Sequence, residues 1–147
     1  MAIQTLKKLF SRDLAKLRTE ITSYNQESNI WRIEKNIANS GGNLCLHLVG
    51  NLNTYIGKEL GGTDYVRDRP AEFALKDVPR EKLLSMIDNT IKVVDSALDK
   101  VSENDLKEQF PILVFEEMTS IEYMLIHLAT HLTYHLGQVN YHRRLID

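Results

Sequence analysis

The chain has 147 residues, of which 43% are hydrophobic and 26% are charged, with a formal net charge of -2. This length predicts one domain over residues 1–147, and the dispersed basic residues give no reason to expect a nucleic-acid partner. The apolar runs are too short to cross a bilayer, and the N-terminus lacks an apolar signal segment, so we expect no membrane association. A single cysteine excludes an intrachain disulfide, and these features together predict a cytoplasmic protein.

The first predicted element is an amphipathic helix from Ile3 to about Tyr24, where apolar residues recur at intervals of three and four. The next segment loses this period and ends in Ser-Gly-Gly, which is typical of a connection. We expect Trp31 and Ile33 of this connection to lie beneath the core. For Trp31, a buried anchor is favoured over a ligand-stacking role.

The second predicted helix begins at Ser40, a good N-cap residue, and extends to about Leu60, where a pair of glycines ends it. Its core-facing seam includes His47, with Asn51 one turn further along. Cys45 points to another side of the helix. We interpret it as a small buried apolar residue and not as a ligand.

A charged loop over residues 63–77 follows, and it contains Arg67 and Arg69. Pro79 then opens a third helix whose apolar residues keep a strict three-four spacing with no titratable group on the seam. We therefore expect this helix to have a structural role. Residues 102–115 break the helical pattern and predict a turn followed by an extended piece.

The fourth predicted helix starts at a capping box of Thr119 and Glu122 and contains the stretch from Ile121 to Ile146. It holds four of the five histidines of the chain. Four amphipathic helices with two longer connections predict an all-α fold, an up-and-down four-helix bundle.

Two histidines of the fourth helix, His131 and His135, are four residues apart and share one face. With His47 they would point into the bundle interior, where side chains from facing helices build metal sites. Three imidazoles with an open position suit zinc, nickel or ferrous iron better than calcium or magnesium. Core histidines that bind no metal are the alternative. A metalloprotease is excluded because the glutamate of the H-E-x-x-H motif is absent.

Three further polar residues of this helix receive other interpretations. His127 is offset from the shared face and is best read as a partly exposed rim residue, while His142 lies roughly 10 Å beyond His135 and reads as a solvated helix end. Gln138 lies one turn past His135 and is predicted either to orient a ligand or bound water, or to serve helix packing.

The motifs H-L-T-Y-H-L-G-Q-V, G-G-N-L-C-L-H-L-V-G-N-L and T-D-Y-V-R-D-R-P-A-E-F together resemble the DinB-like superfamily, in one of its uncharacterised branches. The resemblance covers essentially the whole chain. It implies a four-helix bundle, often a homodimer, that binds a divalent metal through three histidines, here His47, His131 and His135. Zinc or nickel is the expected ion, with iron or manganese as other candidates.

Characterised members of that superfamily are transferases and isomerases that use low-molecular-weight thiols such as bacillithiol or mycothiol. The resemblance therefore implies a metal-dependent thiol S-transferase that joins such a thiol to an electrophile in detoxification or stress. Arg67 and Arg69 could bind carboxylates of the thiol, or could instead pair with Asp64, Asp68 and Glu72 within their own loop. The alternative function is a non-catalytic metal-binding bundle with a structural or partner-binding role.

Overall fold

The computed structural model describes all of residues 1–147 and contains helices without a named strand. Short 3-10 turns lie at Glu27–Trp31 and Asp105–Lys107, and a π-helical segment at Asn53–Lys58 continues the second helix. No helix has both the length and the apolar character needed to cross a membrane. The α-helices are α1 (Ala2–Ser23), α2 (Gly41–Leu52), α3 (Arg69–Ala74), α4 (Arg80–Asp99) and α5 (Ile121–Ile146).

The predicted start of α2 is confirmed, because the Ser40 hydroxyl accepts a hydrogen bond from the backbone N–H of Asn43 at 3.1 Å. Its predicted end is also confirmed. The helix continues through the π-helical turn, and Gly62 then takes a φ of +74°, a left-handed conformation that glycine adopts without strain. All twelve residues of α2 are buried, so this helix lies at the centre of the molecule.

Helix α5 begins one residue later than the capping box predicts. Ser120 is the N-cap, and its hydroxyl accepts from the backbone N–H of Tyr123 at 3.0 Å. The Thr119 carbonyl instead accepts from the backbone N–H of Phe110 at 2.7 Å, next to an isolated antiparallel bridge. This pairing keeps Thr119 in the preceding segment and leaves the capping position to Ser120.

The four long helices pack as a square in the order α1, α4, α2 and α5, with one shared hydrophobic core. Trp31 is buried beneath this core as predicted, whereas Ile33 is 44% exposed, so that part of the prediction was wrong. The reason is that the 3-10 turn ends at Trp31, after which the chain leaves the core in an extended conformation.

Neighbouring helices α1 and α5 run parallel. Thr133 donates to the Asp13 carboxylate at 2.6 Å, and seven residues further on in both helices Asn140 donates to Glu20 at 2.7 Å. Helix α1 runs antiparallel to α4, because its N-terminal Lys7 pairs with the C-terminal part of α4 at Asp95.

Helix α2 with its π-helical continuation runs parallel to α4. The Asn53 amide donates to the Thr90 hydroxyl at 2.9 Å, and further along both helices Gly57 lies against Val93. The bundle thus follows an up-down-down-up course, and the predicted up-and-down order was wrong. The connection over residues 59–79 is long enough to return along the bundle, which lets two consecutive helices point the same way.

The charged loop also holds a helix that the sequence analysis missed. Asp68 caps α3 by accepting from the backbone N–H of Ala71 at 3.2 Å, and Pro70 stands in the first turn, where proline is tolerated. Helix α3 packs across α2 near the middle of the bundle. This position brings the side chains of the loop to the predicted metal site.

Candidate metal centre

The three predicted ligands come together. Helices α2 and α5 are antiparallel neighbours, so His47 of α2 faces the turn of α5 that carries His131 and His135. One donor atom from each histidine lies within 4.8 Å of the other two. The Nε2 atom of His131 is 3.2 Å from that of His47 and 3.1 Å from that of His135.

These distances match a shared ion. Zinc binds imidazole nitrogen at about 2.0–2.1 Å, and tetrahedral geometry then separates two ligand nitrogens by about 3.3 Å. Nitrogens 3.1–3.2 Å apart therefore suit ligation of one ion with no large movement of the helices. His, Cys, Asp or Glu contributes no fourth donor to the cluster, and His131 and His135 are only half-buried, so room remains for an exogenous ligand.

Hydrogen bonds fix which nitrogen faces the centre. A carboxylate or amide oxygen only accepts, so His47 donates from Nδ1 to Glu72 at 3.0 Å and His135 donates from Nδ1 to the Gln138 carbonyl at 2.6 Å. In a neutral imidazole the other nitrogen then carries a lone pair. The Nε2 lone pairs of both histidines thus point at the same small space beside His131.

The protonation of the cluster also favours a metal. Burial, followed by the proximity of His135 and His47, lowers the pKa of His131 to about 4. Burial likewise lowers the pKa of His135, although the hydrogen bond that His135 donates to Gln138 acts in the opposite direction. Neutral imidazoles at pH 7 are the form that binds metal ions. The residues present therefore fit a divalent ion.

The His131 Nδ1 atom is buried and has no hydrogen-bond partner. A metal ligand usually donates from its second nitrogen to a neighbouring group, as His47 and His135 do here. The cluster is thus asymmetric, with two oriented imidazoles and one that only packing holds. His127 stacks on His131 at 6.1 Å between ring centroids and lies edge-on to Phe115, which agrees with its predicted place at the rim.

The sequence analysis did not predict the contact between Glu72 and His47. It is 6% exposed, and Arg67 donates to both of its carboxylate oxygens, at 2.8 and 3.0 Å. Burial opposes ionisation, but the hydrogen bonds from His47 and Arg67 lower the Glu72 pKa overall. The signal in the sequence was Gly50, a glycine inside the predicted helix, since a Cβ there would collide with the Glu72 carboxylate.

The two arginines of the loop behave differently. Arg67 is committed to Glu72 and also approaches His47, with 3.5 Å between its NH2 nitrogen and Nδ1. Arg69 is exposed, and its guanidinium lies 5.4 Å from the centre of the Phe73 ring. The loop-internal pairing predicted as the alternative is therefore present for Arg67.

His142 corrects the prediction of a solvated helix end, because it is only 4% exposed. It donates from Nε2 to the Arg32 carbonyl at 2.8 Å, and its Nδ1 accepts from the Tyr24 hydroxyl at 2.6 Å. Cys45 is fully buried, and burial raises the pKa of its thiol to about 12, in line with its predicted role as a small core residue.

A protein-family model matches residues 2–147, and its description is "Protein of unknown function (DUF1572)". The comparison with curated proteins finds no match. The site itself therefore carries the argument about function.

Proposed function

The chain belongs to the DUF1572 family, and from its site we propose a divalent-metal enzyme that transfers a low-molecular-weight thiol to an electrophile. The observation that carries the proposal is the convergence of two oriented Nε2 lone pairs, from His47 and His135, beside His131. The Nε2 atom of His131 lies 3.2 Å from the first and 3.1 Å from the second, so three nitrogen donors converge as they do around a divalent ion. The open side of the cluster then distinguishes a reactive site from a closed structural one.

Zinc or nickel is the proposed ion, with iron and manganese as the other candidates. Three nitrogen donors are the common ligand set for these borderline metals, and calcium and magnesium prefer oxygen. We further propose that the chain is a DinB-like protein. The four long helices and the three histidines, one on α2 and two on α5, support this assignment.

His47, His131 and His135 would hold the ion, which would supply Lewis acidity that favours the thiolate form of a thiol near neutral pH. The overall transfer would form a bond between the thiol sulfur and the electrophilic carbon, release the leaving group with its electron pair and give the thiol proton to solvent. Glu72 and Gln138 hold the rings of His47 and His135 in a fixed orientation by accepting hydrogen bonds from their Nδ1 atoms. Such thiols are kept reduced in the cytoplasm, where we propose that the protein acts.

Binding of the thiol is the proposed role of the α3 side of the site. Arg69 is a better candidate than Arg67 for binding a carboxylate of the thiol, because its guanidinium is exposed and has no acidic partner. Arg67 remains part of the proposal through its positive charge beside the site, although its hydrogen bonds already hold Glu72.

A second function, metal binding without turnover, is favoured by one observation. Glu72 is buried with Arg67 and His47 in a connected network, which is also how a purely structural ion would be anchored. In that case the protein should unfold when the ion is removed.

A cobalt-substituted sample separates the two functions. We expect a small thiol such as cysteine to give an intense near-ultraviolet thiolate-to-cobalt band, because an open position admits the sulfur. The matched sample is the His131→Ala, His135→Ala double variant, which should bind no cobalt and give no band. Stoichiometric cobalt in the wild type with no response to thiols would refute the transferase and favour the structural ion.

A homodimer is also proposed, with α5 as its contact surface. Helices α1 and α4 offer little apolar contact surface, because their long apolar side chains are largely covered. On α5, large exposed apolar residues instead form a stripe at helical spacing. They are Tyr123, Ile126, Tyr134, Tyr141 and Leu145.

A further inference from the structure

A cavity of about 410 Å³ lies between the segment 36–39 and the last turns of α5. This volume is within the range of small-molecule sites. Its walls include Ile37, Ala38 and Leu44 on one side and Gln138 and Tyr141 on the other. None of the three histidines of the metal site lines the cavity.

The cavity nonetheless adjoins the metal site on both helices. Leu44 precedes His47 by three residues on α2, and Gln138 follows His135 by three on α5, so each wall lies about 4.5 Å along its helix from a ligand. Because α2 and α5 are antiparallel, both displacements point toward the same end of the bundle. Gln138 touches both spaces, since its carbonyl accepts from His135.

The lining of the cavity carries no charge. Its polar residues are Asn36, Asn39, Gln138, Tyr141 and His142, and the rest are apolar. Both ring nitrogens of His142 bond to neutral partners, and burial lowers the pKa of this side chain, which favours its neutral form. The exposed guanidinium of Arg144 lies 5.5 Å from the centre of the Tyr141 ring and does not line the cavity. Desolvation of a carboxylate or phosphate inside the cavity would therefore oppose its binding.

The surroundings differ in the other direction along α2, where Arg67 lies over the ring of Tyr55, eight residues after His47, and Arg69 lies over the Phe73 ring of α3. An anionic ligand is favoured on that side and an uncharged ligand on the side of the cavity. The centre thus lies between two environments of contrasting polarity.

We propose that the cavity binds the electrophile through an uncharged, mostly apolar group about the size of a substituted benzene ring. The amides of Asn39 and Gln138 would bond to one polar group on it, such as a carbonyl or amide. This assignment rests on the proposed function in taking the ligand to be the electrophile. The binding site itself is defined by the cavity alone.

The test compares two probes of the same shape, benzamide and benzoate, on the metal-free full chain by amide NMR. We expect benzamide to bind with a Kd on the order of 1–10 mM, as is usual for a fragment of this size, and to shift resonances of residues 36–39 and of Gln138. Benzoate should bind at least about tenfold more weakly because of its charge. Equal shifts with both probes, or shifts elsewhere, would overturn the proposal.

A pair of variants locates the binding. Ala38→Trp fills the cavity from the exposed segment 36–39 and should abolish the benzamide shifts, whereas Ala74→Trp, at an exposed position on α3 outside the cavity, should leave them unchanged. Unchanged binding in Ala38→Trp would overturn the proposal. Both variants should keep the wild-type response of cobalt to thiol, so a missing cobalt band in the wild type refutes the transferase separately from the cavity.

Discussion

Two histidine environments on α5 differ in what satisfies their nitrogens. His142 has a protein partner on each side, the Tyr24 hydroxyl and the Arg32 carbonyl. In the cluster, His135 donates from Nδ1 to Gln138, and its Nε2 lies 3.1 Å from the Nε2 of His131. His142 thus bonds to the core through both ring nitrogens, whereas the Nε2 of His135 belongs to a group of three imidazole nitrogens that could hold a metal ion.

Burial alone therefore does not distinguish a structural histidine from a candidate metal ligand. His142 is buried and His135 is half-buried, yet the buried one has no atom left to offer. The useful criterion is whether a hydrogen bond to one nitrogen directs the lone pair of the other toward a further donor.

Removing two ligands should have the largest effect. In His131→Ala, His135→Ala, we expect the zinc or nickel content to fall from about one equivalent to below about 0.1, because one imidazole cannot retain the ion. Elemental analysis after purification without a nickel column measures this. His142→Gln is the matched control on the same helix and should keep its metal. Loss of metal from the control as well would erase the contrast between the two environments.

Glu72→Gln should weaken metal binding by about 10–100-fold, the usual cost of changing a group that orients a metal ligand. The amide keeps the shape but removes the charge that pairs with Arg67 and polarises His47. Competition with a chromophoric chelator gives the affinity. Glu122→Gln, at an exposed position on the first turn of α5, is the control. An unchanged affinity would show that the hydrogen bonds of Glu72 with Arg67 and His47 stabilise the loop and do not orient a metal ligand.

Tyr24→Phe tests the environment of His142, whose two ring nitrogens both have protein partners. Removing the hydroxyl leaves the buried Nδ1 of His142 without a donor, and we expect the free energy of unfolding to fall by about 1–2 kcal/mol. Urea denaturation of the metal-free protein measures the change. Metal content should stay at the wild-type level, since Tyr24 does not touch the cluster. A loss of metal with little change in stability would contradict both the structural role of His142 and its independence from the metal site.

A pH titration gives the smallest expected effect. Burial lowers the pKa of His142 in the folded state, so below about pH 6.5 the unfolded chain binds more protons and stability falls as pH falls. One such proton contributes at most about 1.4 kcal/mol per pH unit. In metal-free His142→Gln, the dependence of unfolding free energy on pH between 6.5 and 5 should be shallower than in the wild type. The same slope in both would contradict a neutral, buried His142.

Local signals allowed the sequence to predict the cluster. His131 and His135 are four apart on one helix, and His47 stands on a helical seam whose N-cap, Ser40, is evident in the sequence. The three-four spacing of apolar residues likewise predicted the four long helices. These features depend on contacts within one helix, where spacing along the chain fixes position in space.

The missing parts depend on distant contacts. The partners of His142, Tyr24 and Arg32, lie 118 and 110 residues away in the chain, so helical spacing gave no sign of them. Glu72 reaches His47 only because α3 packs across α2, and α3 itself has six residues, too few for a periodic pattern. The up-down-down-up course was hidden for the same reason, since periodicity says which face is buried and nothing about direction.

The course of the chain has a consequence for how the protein folds. Helices α1 and α2 face each other only across the diagonal of the square, and α2 and α4 are neighbours that point the same way, so the chain offers no early helical hairpin. Pairing of α1 with α5 must instead close a loop of nearly the whole chain before its contacts form. Folding rates fall as contacts become more distant in sequence. We therefore expect this bundle to fold more slowly than an up-and-down bundle of equal length, with the metal pocket among the last parts to assemble.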